Sequence, residues 1–245
     1  MRLQTYIAHS GRCSRRKAEA LIASGHVTVN GQRVTQMGIE VDEHTLVAVD
    51  GQPIQLAPTQ TFALNKPRGV ITTLSDPKGR PCVGDIIAEI GLPLYPVGRL
   101  DRESCGLLLL TNDGLLASRL MHPRYQIPRL YRVAVEGKLR DAELIPLRKG
   151  VRQQEEPFEP MKVHLLEYRP IAQHSILEVT VHEGHNREIR RAFESIGAKV
   201  VFLERQAVGP IRLERLHLPR GAWRPLTERQ VNALRAACRL KTPSK

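Results

Sequence analysis

One acidic residue, Asp101, stands among arginines in the stretch VGRLDRESCGLLLLTNDG, residues 97–114. Arg99 and Arg102 flank it, and four leucines follow at 107–110. The run GLLLLT is too short and too continuous for an amphipathic surface helix and reads as a buried strand, so Asp101 falls on the loop that enters it. A carboxylate in that position has three open readings: a structural ion pair, a charge facing a polyanion and compensated by its neighbours, or an ionised catalytic group. Burial raises a carboxyl pKa, whereas a nearby guanidinium lowers it by roughly 1–3 units.

Other chemistries are poorly served. Cys13, Cys82, Cys105 and Cys238 are far apart and form no CxxC, which favours reduced, packed thiols over a disulfide or zinc site. Cys105 has no adjacent histidine to activate it as a nucleophile. His182 and His185 flank Glu183-Gly184 without an evident third ligand, and no HExxH occurs. The absence of GxGxxG and GxxxxGK[ST] counts against nucleotide cofactors and phosphoryl transfer.

The charge balance points to an anionic partner. Over 245 residues, 37 Lys and Arg face 25 Asp and Glu, a formal net charge of +12. Such an excess suits nucleic acid or an anionic membrane surface. No apolar run approaches the length of a transmembrane helix, and the first residues lack the apolar stretch of a signal peptide, so a cytoplasmic chain is expected. Residues 1–34 and 211–245 are the most basic segments.

The elements that must position these groups fall into two parts. In the first, Leu3, Tyr6 and Ile7 share one helical face. Ser14 is placed to cap a second helix with Ala18, Leu21 and Ile22 as its apolar stripe and Gly25 as its stop. Arg15, Arg16 and Lys17 then occupy its first turn, against the helix dipole, which favours anions there. That placement is intelligible if phosphates arrive, and a solvated charged end is the alternative. HVTVNGQRV and LVAVDGQPI read as hairpins turned by Asn30-Gly31 and Asp50-Gly51. Two helices followed by such hairpins, with SRRKAEALIASGHVTVNG as the specific part, resemble the RNA-binding domain first seen in ribosomal protein S-four. The resemblance implies recognition of structured RNA by shape and phosphate contact, with Arg2, Arg15, Arg16 and Lys17 as candidates. Residues 51–60 read as a linker.

In the second part, TFALNKPRGVITT (61–73) reads as a strand pair broken by a turn at Lys66-Pro67-Arg68-Gly69. A short helix capped by Asp85 and the strand 106–111 follow. Next come a helix over 115–122, a strand over 130–137 and a helix near 141–149. KVHLLEYR and SILEVTVHEG read as two further strands. NREIRRAFESIG (186–197) reads as a helix capped by Asn186 and stopped by Gly197, and VVFLERQAVG (200–209) as a strand. A last helix opens with a Thr227–Gln230 capping box and buries Val231, Leu234 and Cys238. Many strands with few helices predict an α+β fold with a mixed, mostly antiparallel sheet.

GRLDRESCGLLLLTNDG closely resembles the catalytic motif of RNA pseudouridine synthases of the RsuA/RluB family. LNKPRGVITT before it, RLYRVAVEG after it, and EGHNREIRRAFESIGAKVVFLERQAVGPI near the end support this in the family's order. The resemblance is somewhat closer to the large-subunit, 23S ribosomal RNA type than to the small-subunit type. It implies a pseudouridine synthase domain at 59–245 after an RNA-binding domain at 1–58, and isomerisation of uridine in ribosomal RNA or a precursor particle. No cofactor, metal or membrane is implied, and a monomer is expected. On this resemblance Asp101 is expected to be the catalytic carboxylate, Tyr131 to stack on the flipped base, and Arg190 to be the charge partner of Asp101. Leu203 closes the other side of the base. Arg99 and Arg102 are read as holding the loop and backbone phosphates, with Glu103 paired to one of them. Arg191 is read as meeting phosphate, and Lys66 as a further substrate-binding residue.

Overall fold

The computed structural model describes residues 1–42, 44–150, 152–153 and 156–241. The chain forms two compact units, Met1–Thr59 with Ile86–Tyr95, and Gln60–Asp85 with Pro96–Lys245.

The first unit holds α1 (Leu3–His9) and α2 (Arg15–Ala23), then β1 (Val27–Val29), β2 (Gln32–Val34), β3 (Val47–Val49) and β4 (Gln52–Ile54) in an antiparallel sheet of order β2-β1-β3-β4. The apolar face of each helix closes on the sheet: Leu3, Tyr6, Ile7, Ala18, Ile22, Val27, Val47 and Val49 are buried together. Ser14 Oγ accepts the Lys17 N–H at 3.3 Å, satisfying one of the free donors at the start of α2. Both hairpin turns have two consecutive positive φ values, at Asn30-Gly31 and Asp50-Gly51, as the tight turn between twisted strands requires. The stretch read as a linker contributes β4, so the connecting segment is shorter than expected.

The second unit is built on a larger sheet. Its elements are β5 (Thr61–Lys66), α3 (Val83–Ile90, shared between the units), the short β6 (Tyr95–Pro96), β7 (Cys105–Thr111) and α4 (Gly114–Met121). They continue with β8 (Arg129–Glu136), α5 (Ile145–Lys149), the small pair β9 (Arg152–Gln153) and β10 (Glu156–Pro157), β11 (Lys162–Arg169), β12 (His174–Val181) and α6 (Glu188–Glu194). The last are β13 (Val200–Val208), β14 (Ile211–Arg212), β15 (Trp223–Pro225) and α7 (Glu228–Ala237). The main strand order is β11-β12-β8-β13-β7-β5-β15. Within the main strand order β13 pairs with β7 in parallel and the other neighbours pair antiparallel, so the α+β, mostly antiparallel sheet read from the sequence is the one found. All seven residues of β7 are buried, which explains its unbroken apolar run.

Several local readings change. Lys66 is the last residue of β5 and not part of a turn between two strands; beyond it only an isolated bridge, Ile71 to Cys82, forms. The backbone of Gly69 bonds to Arg102 instead, leaving no second strand to pair. Asp85 sits in the first turn of α3, not ahead of it, and its carboxylate accepts the Cys82 N–H at 2.8 Å. Asn186 does not cap α6: Arg187, in a left-handed conformation at φ 51, precedes the helix and supplies no side-chain cap. The Thr227–Gln230 capping box is formed, and α7 buries Leu234 and Cys238 while Val231 is half-buried.

Candidate active site

The loop carrying Asp101 is held from beneath by main-chain atoms. Thr72 Oγ1 donates to the Leu100 carbonyl at 2.7 Å and accepts the Leu100 N–H at 3.2 Å. The Gly69 N–H donates to the Arg102 carbonyl at 2.8 Å, and Ser104 N–H turns back to the Asp101 carbonyl at 3.0 Å. Lys66 completes the support. Its side chain is fully buried, and its ammonium donates to the carbonyls of Ser104 at 2.8 Å, Pro67 at 3.0 Å and Asp101 at 3.2 Å. Burial pushes its pKa down to about 8. Lys66 was expected to bind substrate; its three donors are spent on backbone, so it holds the Asp101 loop and does not face the cleft.

Asp101 opens onto a cleft of about 980 Å³. Arg99, Arg102, Tyr131, Leu203 and Arg205 line it with Asp101, as does the connection from β12 to α6. Among the described residues no side chain forms a hydrogen bond or ion pair with the Asp101 carboxylate, so its oxygens are available to a ligand. Tyr131 is 8% exposed on β8, and Leu203 is buried on β13. The two strands pair antiparallel with Tyr131 opposite Arg205 and Val133 opposite Leu203, which brings both proposed base-contacting residues to one surface.

Arg190 is less simple. It is 7% exposed and does not line the cleft; Nη1 donates to the Val200 carbonyl at 2.9 Å, while Nε and Nη2 are buried without acceptors. It forms no ion pair with Asp101 within 4 Å among the described residues. Burial lowers its pKa, and Arg187 lowers it further, with Asp101 acting in the opposite sense. Arg190 and Asp101 therefore do not touch. Arg191 lies over the Phe158 ring at 4.9 Å and is not part of the cleft, unlike the phosphate-facing group expected. Glu103 reaches Arg68 at 3.7 Å, not Arg99 or Arg102, and Arg102 Nε donates to the Gly69 carbonyl at 3.3 Å. In the first unit Arg2, Arg15, Arg16 and Lys17 are all exposed.

Two arginines escape a reading by motif. Arg129 donates to the carbonyls of His182 at 2.8 Å and Leu120 at 3.1 Å, tying the β12–α6 connection to the end of α4. Arg205 is 2% exposed and donates through Nε to the Leu107 carbonyl at 2.7 Å. The signal for Arg205 was present: alternation along β13 puts it on the same face as Leu203.

A sheet-floored cleft with one unpartnered carboxylate, a tyrosine and a leucine beside it, and a separate basic helix–hairpin unit is the plan of an RNA-modifying isomerase. The chain belongs to the RNA pseudouridylate synthase family, whose model matches residues 60–195, and an S4 domain matches residues 1–47. It is 44% identical to the ribosomal large subunit pseudouridine synthase B of Bacillus subtilis, over 96% of each chain. It is 40% identical to the protein of that name from Haemophilus influenzae, over 96% of this chain and 67% of the relative. Among solved structures it resembles a pseudouridylate synthase with a TM-score of 0.65 and 26% identity, covering 96% of this chain and 99% of the other. It is therefore an RNA pseudouridine synthase.

Proposed function

We propose that this enzyme isomerises uridine in large-subunit, 23S ribosomal RNA, with Asp101 as the catalytic carboxylate. The free Asp101 carboxylate on a backbone-clamped loop carries this reading, because the reaction needs one ionised group fixed beside the ribose and no outside reagent. The names of the relatives at 44% and 40% identity support the large-subunit target.

In this reading the target nucleotide is flipped out of its helix, at a cost of a few kcal/mol, and enters the cleft. Tyr131 and Leu203 hold the base between them. Asp101 acts at the ribose, on the anomeric carbon or the 2′ proton, and the bond from the anomeric carbon to N1 breaks. The base turns, bonds through carbon five, loses the proton there and regains one at N1; the Tyr131 hydroxyl is in place to assist that proton transfer. Arg190 biases Asp101 electrostatically. Arg99 and Arg102, exposed at the cleft, meet backbone phosphates. The basic face of α2 and Arg2 supply affinity for folded RNA, and the protein acts as a monomer in the cytoplasm.

The test is tritium release from large-subunit ribosomal RNA transcripts labelled at uridine carbon five, followed by mapping of the modified position. Release from the large-subunit transcript supports the reading. Release only from small-subunit RNA would overturn the target, and release from neither would overturn the function.

A further inference from the structure

We infer that Arg205 grips the carbonyl edge of the uracil ring and takes up the negative charge that develops when the ring leaves the sugar; this deepens the isomerase reading above and rests on it. Three observations converge on this residue. Its guanidinium is anchored at one end, through Nε on the Leu107 carbonyl, while Nη2 is buried and has no acceptor. A buried donor left unpaired is costly, more so when charged, so an acceptor is expected to arrive. The residue lines the cleft on the same face of β13 as Leu203 and directly opposite Tyr131, so it neighbours both side chains that would hold the base. Its backbone is closely packed against Gly106 at the start of β7: a Cβ there would overlap the Arg205 main chain. The backbone beneath the side chain is thus fixed in register, and the guanidinium is tied to it through Nε.

The charge around it favours an anion. Five arginines line the cleft against the carboxyls of Asp101, Glu183 and Glu188, and burial shifts Glu188 toward its neutral form. Arg129 lines the cleft with Arg205 and lies within its electrostatic reach.

The chemistry supplies that anion. Cleavage of the bond between the anomeric carbon and N1 leaves the electron pair on the ring, spread over N1, O2 and O4. A charged N–H held on a ring oxygen stabilises this state more than neutral uracil, which is the condition for accelerating the step. The geometry of the rearrangement adds a second argument. Turning the ring about the axis through N3 and C6 exchanges N1 with C5 and, at the same time, O2 with O4. One fixed donor therefore meets a carbonyl oxygen before and after the turn. Cytosine has an amino group at position four, so the same turn would set donor against donor, and the site would reject it.

The experiment compares full-length wild type with Arg205→Ala on a large-subunit ribosomal RNA transcript tritiated at uridine carbon five. Single-turnover release at saturating RNA is measured alongside the Kd for the same transcript. We expect Arg205→Ala to slow release by about a hundredfold, with Kd changed less than threefold. Guanidinium chloride at tens of millimolar should recover at least tenfold of the rate, whereas equal sodium chloride should not. A loss below tenfold, or a loss that guanidinium does not reverse, overturns the inference. If Arg205→Ala no longer melts cooperatively, Arg205→Lys decides. It keeps the charge but cannot span both the Leu107 carbonyl and the base. A folded Arg205→Lys that slows release at least tenfold supports the inference, and a smaller effect overturns it. Failure of the wild type to release tritium would instead bring down the isomerase reading itself.

Discussion

At the scale of single residues, the Asp101 carboxylate is free of side-chain partners among the described residues while its loop is held by Lys66 and Thr72. Asp101→Asn keeps the shape of the side chain but removes its charge and its nucleophilic or basic oxygen. Single-turnover tritium release by this variant should be undetectable, while its RNA affinity stays within about threefold; measurable turnover would remove Asp101 from its role. Arg190 makes a different case, because it spends one donor on the Val200 carbonyl and leaves two buried nitrogens unpaired. A buried charge so poorly compensated is expensive. We expect Arg190→Met to melt at the wild-type temperature or above it, yet to turn over at least tenfold more slowly at saturating RNA. An unchanged rate would show that Arg190 has no hold on Asp101, and Arg187 would be examined next. Lys66 gives a pH signature. Its pKa falls from 10.5 in the unfolded chain to about 8 in the folded one. Between those values the unfolded chain binds a proton that the folded chain has released, so stability gains from Lys66 as pH rises through that window. Denaturant midpoints of wild type and Lys66→Met, followed from pH about 7 to 10, should diverge in favour of wild type above pH about 8. Parallel curves would mean that the three carbonyls keep the ammonium charged.

At the scale of elements, the registry of β7 and β13 fixes the floor of the cleft. Gly106 has φ +100 and faces the Arg205 backbone, so any side chain there is both strained and obstructed. Strain alone costs about 1–3 kcal/mol, and the overlap adds to it. Gly106→Ala should therefore lower the denaturant midpoint clearly and slow turnover by shifting Arg205 and Leu203; a stable, fully active variant would show that β13 can slide without consequence. Most of these elements were legible in the sequence because the signals were local: the apolar run of β7, the Asn-Gly and Asp-Gly turns, the Thr227–Gln230 box, the capping serine at residue 14. What was not legible depended on distant chain. KPRG has the composition of a hairpin turn, but Gly69 bonds to Arg102 and Lys66 turns inward, neither of which neighbouring residues announce. Asn186 is a good cap by type, yet the helix starts after a left-handed Arg187. The motif around Asp101 was legible through its resemblance to a family, and so was Tyr131. The gap between Arg190 and Asp101 was not, since a motif specifies which residues meet and not how closely. Arg205 sat in plain view as a charge on an inward-facing strand position, and only its orphaned donor gave it meaning.

At the scale of the whole molecule, the proposed function assigns the holding of RNA to the first unit and its modification to the second. Arg15, Arg16 and Lys17 crowd the exposed first turn of α2, and each phosphate contact contributes roughly 0.7–0.9 to the slope of log affinity against log salt. Replacing all three with alanine should flatten that slope by about two to three contacts and weaken binding to ribosomal RNA. The single-turnover rate at saturating RNA should remain near wild type. An unchanged slope would show that these side chains face only solvent. A collapsed saturated rate would show that the first unit shapes the chemistry as well. The loop that carries Asp101 has a further consequence, this one evolutionary. Its supports are the Lys66 ammonium, the Thr72 hydroxyl and main-chain groups, none of which reads the identity of residues 99 or 103. Substitution at those two positions would therefore remake the rim that greets an RNA while leaving the aspartate in place, so that a lineage could acquire a new target without rebuilding the loop.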